Sequence, residues 1–391
     1  MVPLGSIGPL YLDYNATSPL APGVLEAMLP FLREEYHNPS SASEAARPIR
    51  QAVEVARRGV AELVGARQPN QIVFTSGGTE SIHAAFHMAL ATGNERRKIV
   101  LSSVEHSASK GAAQTWQERG YEVLALPVDS QGLPHLDLLE ETLAASPVAL
   151  VSWILANNET GVVLPDPQDF AERVHRHGAR LHVDAVQAPG KLPLHAQDWQ
   201  VDWLSVSGHK FGAPKGVGAL YERVPSPSSP WLQGGGQESG RRGGTENVAS
   251  VVGLGAAALR AHLQANDPTF LSQWEALRDR LEQTVLEAIP GAGIHGQAAQ
   301  RVPNTTFLSI PGQPAELLLP LLEGEGLLCS AGSACDANHW APSPVLLALG
   351  VPPEVAAGSL RLSLGPQTNQ VEIDRAAEIL IRVFRWLAQG A

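Results

Sequence analysis

Lys210 stands in the run Val206, Ser207, Gly208, His209, Lys210, Phe211, Gly212, directly past an apolar, strand-like stretch, and Asp184 ends another such stretch in LHVDAVQ. An amine past one buried strand and a carboxylate near the end of another form the pair that a pyridoxal phosphate enzyme needs. The lysine makes the Schiff base, and the aspartate keeps the pyridinium nitrogen protonated. That pairing predicts amino-acid chemistry. A structural salt bridge is the competing reading for Asp184, because a buried carboxylate is costly unless paired. Lys215, between Pro214 and Gly216, is the other lysine of this loop and reads as solvent-facing.

Further polar groups follow other apolar runs. After IVF at 72–74 come Thr75, Ser76, Gly77, Gly78, Thr79 and Glu80, then a helical pattern. Glycines and a hydroxyl at a helix start make a phosphate cradle, since free N–H groups and the helix dipole favour an anion. An ordinary glycine turn with Thr79 as helix cap is the alternative. Glu105 and His106 follow IVLSSV, where an imidazole can stack on a planar cofactor and move protons, or simply cap a helix. VSWILANNETG offers Asn157 and Asn158 as amide donors to a phenolate or a carboxylate, and LHVDAVQ offers Gln187. Ser207 and His209 flank Lys210 within reach of a phosphate. In GGGQESGRRGGTEN, Thr245 precedes a helix and is either another phosphate donor or part of a plain surface loop. Arg361, in SLRLSLG, presents a fork suited to a carboxylate ligand or to a structural ion pair.

These groups need strands to place them. From about residue 48 to 221, helical and strand-like segments alternate: Ile49, Val53, Ala56, Val60 and Leu63 at helical spacing with Gly65 as the stop, then IVF, IVL, EVLAL, VALVSWI, RLHV and WLSV. The pattern predicts an α/β fold with a mostly parallel sheet sandwiched by helices. The later chain, with long helices near 246–265 and 268–289 and strand-like NTTFLSI and LRLSL, predicts a smaller α+β domain. The expected division is a large domain over 15–257 and a small one from 1–14 and 258–391.

At 391 residues the chain exceeds one ordinary core of roughly 150 residues. Hydrophobic residues at 44% and charged residues at 17% describe a folded chain. A net charge of -11 argues against general nucleic-acid binding, which relies on Lys and Arg. No secretory signal and no apolar run near the roughly 20 residues of a membrane helix is evident, and two cysteines in so long a chain predict a reducing, cytoplasmic setting. The two cysteines, Cys329 and Cys335, make no disulfide framework and lack partners at zinc-ligand spacing. Cys329 follows two leucines and reads as a core residue. Cys335 lies among small residues in SAGSAC and reads as a reactive thiol.

Taken in order, YLDYNATSPL, TSGGTES, VEH, NNETG, HVDAVQ, SGHKFGAPKGVG, GGGQESGRRGGTEN, SAGSAC and LRLSLG resemble the NifS/IscS-type cysteine desulfurases, fold-type I pyridoxal phosphate enzymes of the class V aminotransferase group. The resemblance covers nearly the whole chain. It implies Lys210 as the Schiff-base lysine, Asp184 at the pyridine nitrogen, and Gly78, Thr79, Ser207 and His209 on the phosphate, with Thr245 reaching it from the other subunit of a homodimer. It further implies His106 stacked on the ring as acid/base, Asn158 and Gln187 on the phenolate side, and Asn158 and Arg361 on the substrate. Cys335 would be the nucleophile that takes sulfur from L-cysteine as a persulfide, leaving L-alanine, after Lys210 removes the Cα proton. The sulfur would pass to a protein acceptor such as an iron–sulfur scaffold or a tRNA-thiolation relay. Asp336, where that family has Thr or Ser, should raise the thiol pKa, and a protonated His339 would offset it. A selenocysteine lyase, another class V enzyme, or a non-catalytic thiol sensor or scaffold are the alternative readings.

Overall fold

The computed structural model describes residues 8–91, 95–226, 230–310, 312–332 and 341–390. In chain order the first elements are β1 (Leu10–Tyr11), α1 (Val24–Arg33), α2 (Arg47–Val64), β2 (Ile72–Thr75) and α3 (Gly78–Leu90). Next come β3 (Lys98–Ser102), α4 (Ser107–Gln117), β4 (Glu122–Leu126), α5 (Leu136–Ala145), β5 (Val148–Ile154) and α6 (Pro167–Arg176). They are followed by β6 (Arg180–Asp184), β7 (Trp203–Ser207), β8 (Gly218–Glu222), α7 (Val248–Ala265) and α8 (Pro268–Ala288). The chain closes with β9 (Gly293–Ile294), β10 (Thr305–Ser309), α9 (Ala315–Gly324), β11 (Leu327–Leu328), α10 (Pro344–Ala348), α11 (Pro353–Ala356), β12 (Ser359–Ser363) and α12 (Gln370–Gly390).

The six apolar runs expected to be strands all lie in one seven-stranded sheet of order β2-β8-β7-β6-β5-β3-β4. Strands β7, β6, β5, β3 and β4 run parallel, while β8 runs antiparallel to both β7 and β2. Every residue of β5 and β7 is buried, as expected for strands covered on both faces. This is the α/β sandwich that the alternating pattern predicts. Because β2 is antiparallel to β8, its carboxyl end lies on the same edge as those of the five parallel strands. Six strand ends therefore open toward one side, where an open sheet places its ligands.

Helix α2 ends where expected, with Gly65 at φ 67, a left-handed stop that costs glycine nothing. Its apolar side packs on α7 in the main core, which holds Val53, Val60, Leu254 and Ala258. Among the described residues α7 has the length and apolarity of a membrane span, and 56% of it is buried in the fold. A division at 257–258 falls inside this continuous helix, and Ala257, Ala258 and Ala261 all belong to the main core.

A second core gathers Leu10 and Leu12 from the N-terminal segment with Trp274, Leu281, Leu318, Leu360, Leu362, Ile373 and Leu380. Strand β1 pairs parallel with β11, and β10 is flanked by β12 and β9 in a small antiparallel sheet. The N-terminal segment thus begins in the second core and runs across to the open edge of the large sheet, a path that carries Asp13, Asn15 and Thr17 into the cleft region.

Candidate active site

A cleft of about 590 Å³ opens at the carboxyl edge of the large sheet. One end of it is built on the start of α3. Gly77 caps that helix and no side chain does, so the first-turn N–H groups stay free to bind; Thr79 lies in the first turn and does not act as the cap. Gly78 is required by space, since a Cβ there would stand 2.8 Å from Val186 Cγ2 and 3.2 Å from Ser207 Cβ. Ser207, at the end of β7, and His209 line the same pocket. The His209 ring pairs with Thr17 Oγ1 at 3.2 Å. Burial, then the ammonium groups of Lys210 and Lys215, lower its pKa to about 4, so it is a neutral hydrogen-bonding group at neutral pH.

Asp184, at the end of β6, is 3% exposed and accepts from the Val186 N–H at 2.9 Å. Burial pushes its pKa up to about 6, with Lys210 pulling the other way through its field. A cation facing this carboxylate would complete it. His106 caps α4: its Nδ1 accepts from the Ala108 N–H at 3.1 Å. Burial, then Lys210, Lys110 and Arg361, lower its pKa to about 4. The ring is therefore neutral, and because Nδ1 is an acceptor the hydrogen sits on Nε2. His106 caps α4 and also lines the cleft, so the helix-capping reading does not exclude the cofactor-facing one.

Lys210 Nζ donates to the main-chain carbonyls of Asn15 at 2.6 Å and Ala16 at 2.9 Å. Gln187 Nε2 donates to that same Asn15 carbonyl at 3.0 Å, and Asn158 lines the cleft beside them. Arg361, 3% exposed on β12, also lines the cleft. Its Nη2 donates to Asp13 Oδ1 at 2.8 Å and its Nη1 to the Asn158 carbonyl at 3.1 Å. Ion pair and cleft wall thus coincide in one arginine, with Asp13 setting the direction of the fork.

The fold does not bring Thr245 to the cleft of its own chain, where it lies exposed. The loop before it is firmly tied: Glu238 takes Arg57 Nη1 at 2.7 Å and Nη2 at 2.9 Å, and Arg242 Nε meets Glu80 Oε1 at 2.9 Å in the first turn of α3. Cys335, with Asp336 and His339, lies outside the described residues. The described residues on either side of 333–340 both touch Glu159, the neighbour of Asn158: Ser343 Oγ donates to its Oε2, and a Cβ on Gly332 would stand 2.5 Å from the same atom. Cys329 packs against the second core, and burial raises its pKa to about 12, so it is an inert thiol at neutral pH.

Several groups of this site carried no role in the sequence reading. Asp13, Asn15 and Lys191 belong here, and so does Glu105. Glu105 is 2% exposed, and no well-formed hydrogen bond reaches either carboxyl oxygen, although Ser109 and the Ile154 backbone lie near. Burial first, and the Asp184 carboxylate second, push its pKa up to about 8. In the unfolded chain the group titrates near 4.5, so between pH 4.5 and about 8 unfolding releases a proton and stability falls as pH rises. Glu105→Gln should therefore leave stability near pH 5 little changed and raise it at pH 8 by on the order of 1–3 kcal/mol, at about 1.4 kcal/mol per pKa unit before relaxation. Urea midpoints of the two proteins at both pH values check this; a constant difference would contradict a protonated Glu105.

The family model described as "Aminotransferase class-V" matches residues 10–376. A cysteine desulfurase of Cereibacter sphaeroides is 45% identical over 373 residues, covering 95% of this chain and 94% of its own. A solved structure named "NIFS-LIKE PROTEIN" superposes with a TM-score of 0.87 at 34% identity, covering 97% of this chain and 99% of that one. Another, "SspA in complex with cysteine", gives a TM-score of 0.79 at 32% identity over 92% of this chain and 99% of its own.

Proposed function

We propose, from the premise that this chain belongs to the aminotransferase class-V family and stands with its cysteine desulfurases, that it binds pyridoxal 5'-phosphate in this cleft and passes the sulfur of L-cysteine to Cys335. The observation that carries the reading is that Gly78, Thr79, Ser207 and His209 gather at one end of a single cleft, Asp184 and His106 line it, and Lys210, Gln187, Asn158 and Arg361 complete it. The residues fit the cofactor. The free N–H groups at the start of α3, beside a glycine with no room for a Cβ, suit its phosphate, and the buried Asp184 carboxylate suits its ring nitrogen.

When bound, pyridoxal phosphate supplies a carbonyl carbon for an amine and an electron sink for the bonds at Cα. The chain's own groups do the rest. Asp184 holds the proton at the ring nitrogen. Gln187 and Asn158 would donate to the phenolate oxygen, and the neutral His106 ring would face the bound ring and offer its Nε2–H. Arg361 orients the substrate carboxylate, turned by its bond to Asp13. Lys210 binds the cofactor and, once free, takes the Cα proton. The Cys335 thiolate then attacks the substrate sulfur: an S–S bond forms, the C–S bond breaks, its electron pair goes to the carbon skeleton, and protonation there yields L-alanine and a Cys335 persulfide.

Thr245, exposed and away from its own cleft, serves the phosphate of a second copy in this reading, which makes the working unit a homodimer. The persulfide goes to a protein acceptor, an iron–sulfur scaffold or a tRNA-thiolation relay, and the setting is cytoplasmic. Purified protein should carry a visible chromophore and release equal amounts of alanine and sulfide from L-cysteine with a thiol reductant present. Cofactor-loaded protein that forms neither product would overturn the assignment.

A further inference from the structure

Lys191 is a buried amine outside every role assigned above. It is 4% exposed, and its Nζ donates to Gln187 Oε1 at 2.9 Å and to Asn15 Oδ1 at 3.1 Å. As an ammonium Lys191 can only donate, and as a neutral amine it still carries two N–H hydrogens, one for each of these oxygens. Opposite it, both amides must present oxygen, so a single lysine fixes the orientation of two side chains whose ends are otherwise interchangeable. Gln187 is thereby forced to turn its NH2 toward the Asn15 carbonyl and the cleft. Asn15 is forced to turn its own NH2 toward Thr305 Oγ1 at 2.9 Å and the Asn158 carbonyl at 3.3 Å.

Asn15 is 1% exposed and is held from several further directions: its N–H meets Ser363 Oγ at 2.9 Å and its Oδ1 also accepts from Asn304 at 3.3 Å. A residue bonded to the small antiparallel sheet, to the exit of β5 and to the turn after β6 cannot shift alone. Its main-chain carbonyl is the closer of the two oxygens that hold Lys210 Nζ. A neutral amine has two hydrogens and one lone pair. With two carbonyls accepting the hydrogens, the lone pair is directed away from them, and the same oxygens stabilise the ammonium that forms when a proton arrives.

We propose that Lys191 and Asn15 are positioning residues, which set the amide orientation of Gln187 and hold the carbonyl cradle that aims the Lys210 amine. The inference rests on Lys210 being the cofactor lysine and proton acceptor. The cradle explains why a lysine is buried here at all. Burial first, then the charges of Lys210 and Arg361, lower the Lys191 pKa to about 7, a cost that an apolar residue of similar length would avoid. The charged and titratable groups facing Lys210 are Asp184 at the end of β6, His106 ahead of α4, His209 beside it and Lys191 in the turn after β6. Arg361 from β12, Lys215 in the loop after Lys210 and Glu80 in the first turn of α3 share the cleft.

The test uses the cofactor-loaded enzyme with Lys191→Met, which keeps length and removes the donor. We expect kcat to fall about 10-fold with KM for L-cysteine within twofold, and the pH midpoint of the visible Lys210–cofactor band, titrated without substrate, to move by at least half a unit. Lys191→Arg, which restores an obligate donor, should return the midpoint toward the parent. A folded, loaded Lys191→Met protein with parental midpoint and kcat overturns the proposal. If Lys191→Met does not fold, Asn15→Asp decides: it keeps the acceptor for Lys191, loses the donor to Thr305 and adds a charge beside the cradle, so an unmoved midpoint overturns the proposal equally. A parent protein that titrates normally but forms no alanine from cysteine refutes the assigned reaction, whereas an active parent indifferent to Lys191 refutes only the positioning role.

Discussion

Lys210→Ala should cut alanine formation from L-cysteine by about 1,000-fold or more while leaving the fold and the anion end of the cleft intact. Two losses combine. The cofactor loses its covalent tether, and the proton acceptor at Cα disappears, a role whose removal alone costs about 100- to 10,000-fold. The cradle makes the second loss specific to nitrogen at that point, since the Asn15 and Ala16 carbonyls at 2.6 and 2.9 Å are placed for Nζ and remain when the side chain is gone. Small primary amines added to the variant should therefore restore part of the proton transfer, and more of it than they restore to Lys210→Met, where the methionine side chain fills the path. Borohydride treatment separates the two losses: in the parent it fixes the cofactor to the peptide containing Lys210, and in Lys210→Ala the cofactor stays dialysable. Lys215→Ala is the control, because that lysine is exposed at the mouth of the same cleft. If Lys215→Ala rather than Lys210→Ala freed the cofactor, the lysine assignment would fail.

What the sequence made legible follows from which interactions are local. Five of the six strands announce themselves as apolar runs because they are almost wholly buried, while the edge strand β4 is half exposed, and the polar residues just after the strands fall on one edge because the strands share a direction. The large sheet and most of the cleft could be read for that reason. The rest depends on contacts between distant residues or on main-chain atoms. Arg361 and Asp13 lie 348 residues apart, so whether the arginine held an ion pair or lined a site could not be read from SLRLSLG alone; it does both. The Asn15 carbonyl acts through its main chain, and a main-chain oxygen leaves no trace in residue type. Lys191 lies four residues past Gln187 in a turn, a spacing that means nothing until the turn is folded. Glu105 was visible beside His106, but its burial next to Asp184 was not. The division at 257–258 followed the change from alternating strands and helices to long helical stretches, whereas α7 crosses it unbroken and its inward residues belong to the large core.

Cys335→Ala should abolish sulfide and alanine release, by roughly 100-fold or more, while keeping the visible band and its response to L-cysteine. The reasoning separates binding from sulfur removal. Lys210, Asp184 and Arg361 lie in the described cleft, so substrate should still displace the lysine and change the spectrum. Without a thiolate to accept sulfur, the C–S bond has no partner to break toward, and both products stop together. Loss of sulfide with continued alanine formation would mean a different sulfur acceptor, and unchanged release of both would sink the persulfide route. Cys329 cannot substitute, since burial raises its pKa to about 12. Asp336 allows a graded version of the experiment. A carboxylate next to the nucleophile should disfavour the thiolate, so Asp336→Ser should speed alkylation of Cys335 by iodoacetamide near pH 7 severalfold and shift the acid limb of the sulfide-release profile to lower pH. If alkylation quickens without any change in that profile, attack by Cys335 is not the step that limits turnover, and the slow event lies earlier, at Lys210.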